Sequence, residues 1–314
     1  MASEVILFGE PMALFVAKEE GSLSEATEFT RMLAGAEVNV AIGLTRLGYK
    51  VTYATRLGTD PFGDYIEKKL GNEGVCTEII RDKERPTGFQ WKNHVKKGDP
   101  ATYYLRKNSA ASCITEEDVD SIDFSGAKLL HITGILPALS LSSRNAVYRV
   151  IEKAREHGMM VSFDPNLRAS LWESKSAMIR TLNDLASKAD IVLPGIQEGY
   201  ILMGSKNPEE IADFYLKLGA KTVVVKLGEK GAYAKSETEE GYFDGYPVEE
   251  VVDTVGAGDG FAAGVLSAAL EGASLQEMAD RGNAIGSMQV MVSSDNEDLP
   301  TREELERFRK EGHR

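Results

Sequence analysis

Cysteine and histidine are scarce in this chain, 2 and 4 of 314 residues. Cys76 and Cys113 cannot build a disulfide framework. With His94, His131, His157 and His313 scattered along the chain, no spacing suits a structural zinc site. Long apolar runs are also missing, and none approaches the ~20 residues of a membrane-spanning helix. The stretch Met1-Ala-Ser-Glu-Val-Ile-Leu-Phe-Gly9 lacks the basic region and cleavage site of a signal peptide and reads as a first buried strand. A reduced, cytoplasmic protein is therefore expected. Nor is there an excess of positive charge. Acidic residues number 49 against 36 basic ones, a net charge of −13, which argues against general binding to nucleic acid or anionic membrane. Anionic small molecules are not excluded. To hold a phosphate, such a protein must build a local positive site from helix N-termini, a few Arg or Lys, or a metal ion.

What is present is an ordinary globular mix, 42% hydrophobic and 27% charged, enough for a large core without staples. No linker, repeat or low-complexity segment divides it. Short apolar runs predict strands over 5–8, 51–54, 129–132, 160–163, 191–193 and 222–226. Helical patterns are predicted over 37–47, 62–73, 142–157, 175–188, 208–218, 258–271 and 275–292. From residue 129 to 226 the strands alternate with one helix per gap, the rhythm of a mainly parallel sheet covered on both faces. Segments 11–33 and 87–109 break the rhythm with short extended stretches and polar turns. Within the second, Phe89-Gln-Trp-Lys-Asn-His-Val95 and Thr102-Tyr-Tyr-Leu-Arg106 flank Lys96-Lys-Gly-Asp-Pro100, the pattern of a β-hairpin. A hairpin fits poorly inside a parallel sheet, so one α/β unit over 1–314 with a small β-sheet lid is expected.

The most informative stretch is Asp253-Thr-Val-Gly256-Ala-Gly258-Asp259-Gly260-Phe261, which runs into a helical apolar pattern. Glycine N–H groups at a helix N-terminus can lie directly against an anion. A carboxylate there would repel a phosphate, but Asp259 makes sense as a base that takes a proton from a hydroxyl attacking a phosphoryl group. The same residues also suit a tight turn with an ordinary first-turn Asp facing the helix dipole. No Gly-x-x-x-x-Gly-Lys loop occurs, and Gly258-Asp-Gly260-Phe-Ala-Ala263 lies too late in the chain for a dinucleotide fingerprint.

Taken with a second motif, this stretch resembles the PfkB (ribokinase-like) family of sugar kinases. The second motif is Gly35-Ala-Glu-Val-Asn39 through Leu47-Gly48, followed by Leu57-Gly-Thr-Asp-Pro-Phe-Gly63, and the two signatures stand about 220 residues apart. The resemblance covers nearly the whole chain. It implies a three-layer α/β/α core with a β-sheet lid, and ATP and Mg²⁺ as co-substrate and metal, with a monovalent cation as a further candidate. It also implies that Gly256, Ala257 and Gly258 form an anion hole, that Asp259 is the base, and that Lys226, Gly228 and Gly231 form the nucleotide loop. Asn283 then falls near the adenine. Glu198, in Leu193-Pro-Gly195-Ile-Gln-Glu198, falls where the family helps hold Mg²⁺ through water, while Gly195 replaces the usual Asn.

Local features resemble the branch of that family acting on 2-keto-3-deoxygluconate: Gly35, Ala36, Glu37 and Asn39 in the sugar loop, Tyr104 and Arg106 in the lid, and Arg168 after Asp164-Pro-Asn. Asp295 falls at a substrate-contacting acid, and Gln90 replaces a Tyr on the first lid strand. A sugar acid brings a carboxylate, which a guanidinium answers with two parallel charge-assisted bonds. The expectation is phosphoryl transfer to the terminal hydroxyl of this sugar acid. A fructokinase or other neutral-sugar kinase, a silent sugar-binding protein on the same fold, and a nicotinamide oxidoreductase are the alternatives. Exposed lid aromatics suggest a homodimer joined through the lids.

Overall fold

The computed structural model describes residues 3–95, 101–292, 294 and 296–312. The expected turn at 96–100 and Asp295 lie outside the described residues. Nine strands form one sheet: β1 (Val5–Phe8), β4 (Val51–Gly58), β5 (Cys76–Asp82), β8 (Leu129–Thr133), β9 (Met160–Asp164), β10 (Ile191–Val192), β11 (Thr222–Lys226), β12 (Ala232–Ser236) and β13 (Glu240–Phe243). Their order is β13-β12-β11-β10-β9-β8-β1-β4-β5. Every pairing from β5 across to β11 is parallel, and β12 and β13 continue it antiparallel. The four side chains of β1 show why the core has three layers. Val5 and Leu7 join the apolar cluster on one face, and Ile6 and Phe8 join that on the other. A strand buried on both faces has to be apolar at every position, as this one is.

The second sheet has the order β3-β2-β6-β7, with β2 (Met12–Glu20), β3 (Phe29–Ala34), β6 (Phe89–His94) and β7 (Thr102–Leu105). The antiparallel β6–β7 pair places Gln90 opposite Tyr104. Because β2 follows β1 and β6 follows β5, both insertions leave the core at the carboxyl ends of parallel strands. That end of an open α/β sheet is where ligands bind.

Helix starts follow local chemistry. Asp60 caps Pro61–Asn72, its side chain accepting from the N–H groups of Phe62 and Gly63, with Pro61 at the first helical position. Gly256 opens Ala257–Leu270 in the left-handed region, φ 79°, which a side chain would strain.

Three expectations need correction. The gap between β10 and β11 holds two helices, Ile196–Met203 and Pro208–Leu218. The first is so short that its apolar pattern merges with the preceding strand. β5 was not foreseen because it is an edge strand whose residues, apart from buried Asp82, are partly exposed, so the sequence Cys-Thr-Glu-Ile-Ile-Arg-Asp shows no clean alternation. The hairpin β12–β13 was missed because β12, Ala-Tyr-Ala-Lys-Ser, though buried at its start, has no β-branched residue, and β13, Glu-Gly-Tyr-Phe, is a short edge strand. Among the described residues, no helix is long and apolar enough to cross a membrane.

Candidate active site

A cavity of 370 Å³ lies between the lid and the carboxyl ends of the core strands. The core supplies Gly35, Ala36, Asn39, Asn166, Arg168, Glu198, Lys226 and Asp259, and the lid supplies Met12, Gln90, Tyr104 and Arg106. Gly35 precedes the helix Ala36–Arg46 with φ 144°, a backbone conformation that a side chain would strain.

Asp259 sits in the first turn of Ala257–Leu270, and other segments hold it. Asn39 Nδ2 donates to Asp259 Oδ2 at 2.8 Å, and Asn166 Nδ2 donates to Oδ1 at 3.3 Å. Asn39 is oriented in turn by Asn296, whose Nδ2 donates to Asn39 Oδ1 at 2.9 Å. Burial pushes the Asp259 carboxyl up to about 7, with Asp164 adding to the rise while the Asn39 donor, Lys226 and Arg168 oppose it. A carboxylate with that affinity can accept a proton near neutral pH while about half of it is ionised beforehand.

On the far side of Gly258 lies a second groove of 530 Å³. Gly228, Gly231, Ala257, Phe261, Asn283 and Gly286 are among its walls, with Lys226 at its inner end. Gly231 has φ 84°, and a Cβ there would come within 2.1 Å of the Phe243 carbonyl, so no side chain fits. Asn283 is not a helix-surface amide. It is buried and donates to the carbonyls of Phe243 and Asp244, tying its helix to the end of β13.

The acidic residues are arranged differently from a preformed metal cage. Glu198 accepts from Leu167 N at 2.9 Å and from Gly195 N at 2.7 Å, one bond to each carboxylate oxygen. Burial raises its proton affinity, with Lys226 opposing and Asp164 adding. Asp164 accepts from Asn166 N and from Lys226 Nζ at 2.6 Å. Among the described residues, no group of three or more His, Cys, Asp or Glu could hold a metal by itself.

Several expected contacts are placed elsewhere. Glu37 does not line the cavity. Its carboxyl is buried behind it, where Thr133 Oγ1 donates at 2.6 Å, and it packs so closely on Gly9 that a Cβ there would collide. The helix turns Glu37 inward and Ala36 and Asn39 outward. Gly195 lines neither cavity nor groove, because its backbone is spent on Glu198 and on a bridge to Lys226. Arg106 lines the cavity but is not a free guanidinium. It is buried and paired with Glu10, its Nε donating at 2.7 Å, and Ser109 Oγ donates to the same carboxylate. Arg168, by contrast, is exposed and makes no ion pair among the described residues, donating only to its neighbour's carbonyl, Leu167 O. Glu10, Asp164, Asn166 and Asn296 were missed as site residues. Asn166 carried a signal, since it lies inside the Asp164-Pro-Asn-Leu-Arg168 motif and adopts φ 37°. Glu10 and Asn296 carried none.

The sequence pattern of the pfkB family carbohydrate kinases matches residues 2–302. The chain is 49% identical over 310 residues to a 2-dehydro-3-deoxygluconokinase of Bacillus subtilis (strain 168), spanning 98% of this chain and 96% of that one. Its structure is similar to that of a PfkB protein from Polaromonas sp. JS666, with a TM-score of 0.89 at 46% identity over 97% of this chain and 99% of that chain. It is also similar to a putative ribokinase II from E. coli solved in complex with ATP and Mg²⁺, with a TM-score of 0.88 at 26% identity over 99% and 100% of the two chains. A lidded cavity meets a second groove at a glycine-opened helix bearing a buried, poised carboxylate, and the family's pattern runs through both. By pattern, fold and site, this chain belongs to the pfkB family of carbohydrate kinases.

Proposed function

We propose that the protein transfers the terminal phosphoryl group of ATP to the terminal hydroxyl of 2-keto-3-deoxygluconate, giving 2-keto-3-deoxy-6-phosphogluconate. The sugar acid occupies the lidded cavity and the nucleotide the second groove. Gly35, Ala36, Asn39, Gln90 and Tyr104 face the sugar, and Gly228, Gly231 and Asn283 face the nucleotide. Asp259 takes the hydroxyl proton, and the N–H groups at Gly256, Ala257 and Gly258 face the charge on the transferring group.

The observation that carries the choice of substrate is Arg168, a guanidinium on the cavity wall without a carboxylate partner among the described residues. Arg106 is already neutralised by Glu10. A carboxylate on the substrate is the natural partner for the unpaired cation.

The donor set fits Mg²⁺. Both oxygens of Glu198 already accept backbone N–H groups, which suits contact through the metal's waters better than direct ligation in a protein cage. Glu198 and Asp164 would hold Mg²⁺ through its waters, and the chemistry it would supply is neutralisation of charge on the nucleotide phosphates. A monovalent cation remains a candidate activator. The reading takes 1–314 as one catalytic unit with lid segments 11–33 and 87–109, cytoplasmic and paired through its lids.

A substrate panel with ATP tests it. kcat/KM is expected to favour 2-keto-3-deoxygluconate over fructose and ribose. Arg168→Ala should lower it for the sugar acid about 10- to 150-fold, the cost of one charged hydrogen-bonding partner, and change residual neutral-sugar activity much less. A wild type that favours fructose, or equal losses on both substrates, overturns the sugar-acid reading. No turnover of any sugar overturns the kinase reading in favour of a silent binding protein.

A further inference from the structure

Among the described residues, three line both the sugar cavity and the nucleotide groove: Lys226, Thr254 and Gly258. Lys226 alone of these carries a charge. It is the last residue of β11, and its backbone N–H is fixed on the Pro194 carbonyl at 2.8 Å. Its ammonium reaches the junction of the two spaces, 3.8 Å from where a Cβ on Gly258 would stand. Any group passing from nucleotide to sugar over Gly258 passes beside Lys226 Nζ. The surroundings there are otherwise hostile to an anion, with Asp164, Glu198 and Asp259 all close enough to bias the Lys226 charge.

We propose that Lys226 is a catalytic residue that holds the phosphoryl group while it crosses from nucleotide to sugar, sharing its ammonium between Asp164 and the phosphoryl oxygens. The proposal rests on the kinase reading above and adds to it a side-chain cation that borders both spaces. Three N–H donors on one nitrogen allow the sharing. One donates to Asp164 Oδ2 at 2.6 Å and keeps the ammonium at the junction, leaving two for a phosphoryl oxygen. In the step, a bond forms between the sugar oxygen and the terminal phosphorus. The bond from that phosphorus to the bridging oxygen breaks, and its electron pair leaves with ADP. The hydroxyl proton goes to Asp259, and Lys226 stays protonated throughout. Burial alone would lower its proton affinity, but Asp164, Glu198 and Asp259 raise it above the ordinary lysine value, so the charge is present at neutral pH.

Lys226→Met should lower kcat by ~10²–10³, the usual cost of one donor aimed at developing charge, with KM for the sugar acid within about threefold of wild type. Calorimetric titration gives a readout apart from activity. ADP affinity should stay within about threefold, while affinity for β,γ-methylene ATP falls at least about tenfold, because only the latter brings a terminal phosphoryl group to the junction. Lys226→Met leaves Asp164 without its cation and could misfold, so Lys226→Met/Asp164→Asn is titrated in parallel and should show the same loss of preference. Equal losses for the two nucleotides overturn the proposal. So does recovery of kcat in the double variant, since Lys226 would then serve only to neutralise Asp164. The titrations do not depend on which sugar is used. A wild type that turns over no sugar counts against the kinase reading, and the nucleotide preference still decides Lys226.

Discussion

Asp259 and Glu37 are both buried carboxyl groups raised to about 7, chiefly by burial, yet they stand on opposite sides of the cavity wall. Asp259 faces the cavity with Asn39 and Asn166 as partners, whereas Glu37 faces Thr133 and Gly9. A base is active in its ionised form, so kcat/KM for the sugar should fall about tenfold per pH unit below roughly 7 and level off above it. Asp259→Asn should cost ~10²–10⁴ in kcat and abolish that limb, since an amide keeps the size but cannot take the proton. Glu37→Gln should leave the limb in place, because its carboxyl titrates out of reach of the substrate. A pH–rate profile of the three proteins checks this. A limb that survives in Asp259→Asn removes Asp259 as the base. Asn39 and Asp259 were readable as site residues from their motifs. That one holds the other, and that Asn296 holds the first, was not, because hydrogen bonds across 220 and 257 residues have no sequence signature.

At the scale of elements, the lid is anchored by a buried charge pair at its root. Glu10 lies between β1 and β2, and Arg106 follows β7, so their contact joins the two ends of the lid sheet at the cavity floor. The guanidinium also lies over the Tyr104 ring at 5.7 Å. Removing one partner of a buried pair strands the other charge at a cost of ~3–5 kcal/mol, more than the loss of the attraction alone. Arg106→Ala should therefore destabilise the fold by that order and depress acid and neutral sugars alike. Glu10→Gln/Arg106→Met should recover part of the stability in urea unfolding. If Arg106→Ala unfolds at the wild-type midpoint, the pair does not anchor the lid. A second tie runs from the lid to the loop before the helix Ala257–Leu270, with Lys92 Nζ of β6 donating to Asp253 Oδ2 at 2.8 Å while Asp253 Oδ1 accepts from Val255 N. The hairpin β6–β7 could be read from its apolar strands around a polar turn. Its coupling to Glu10 and Asp253 could not, since both ion pairs join segments far apart in the chain.

For the whole molecule, the lid sheet leaves β7 as an edge, and that edge is apolar. Tyr103 and Leu105, on one face of this strand, are 57% and 40% exposed, and we propose that the lid of a second copy covers them. The Tyr103 ring stacks on Trp91 of the neighbouring strand, with centroids 6.3 Å apart. A dimer is expected in sedimentation equilibrium at micromolar concentration. Tyr103→Asp/Leu105→Asp should weaken it at least about tenfold by placing charge in the interface. A wild type that sediments as a monomer removes lid pairing.

What the sequence determined by itself is whatever lies within one short stretch of chain. Strands buried on both faces declare themselves as apolar runs, a cap such as Asp60 before Pro61 marks a helix start, and glycines before Asp259 mark a candidate anion-binding helix N-terminus. From these the three-layer core, the lid and the two signatures follow. The tertiary structure alone decided which polar groups are spent on one another. Arg106 and Arg168 look equivalent as residues, but only folding brings Glu10 beside the first and leaves the second with no ion pair among the described residues. Glu37 and Asn39 are two apart in one motif, and helix rotation sends one behind the wall and the other to Asp259. Lys226 reads as the end of a strand, and it becomes the charge between two cavities only when β11 is laid beside β10 and the helix Ala257–Leu270 is packed across its end. The physical reason is the same in each case. Propensity and capping act over a few residues, whereas the pairing and desolvation of charge depend on neighbours that only the packed chain brings together.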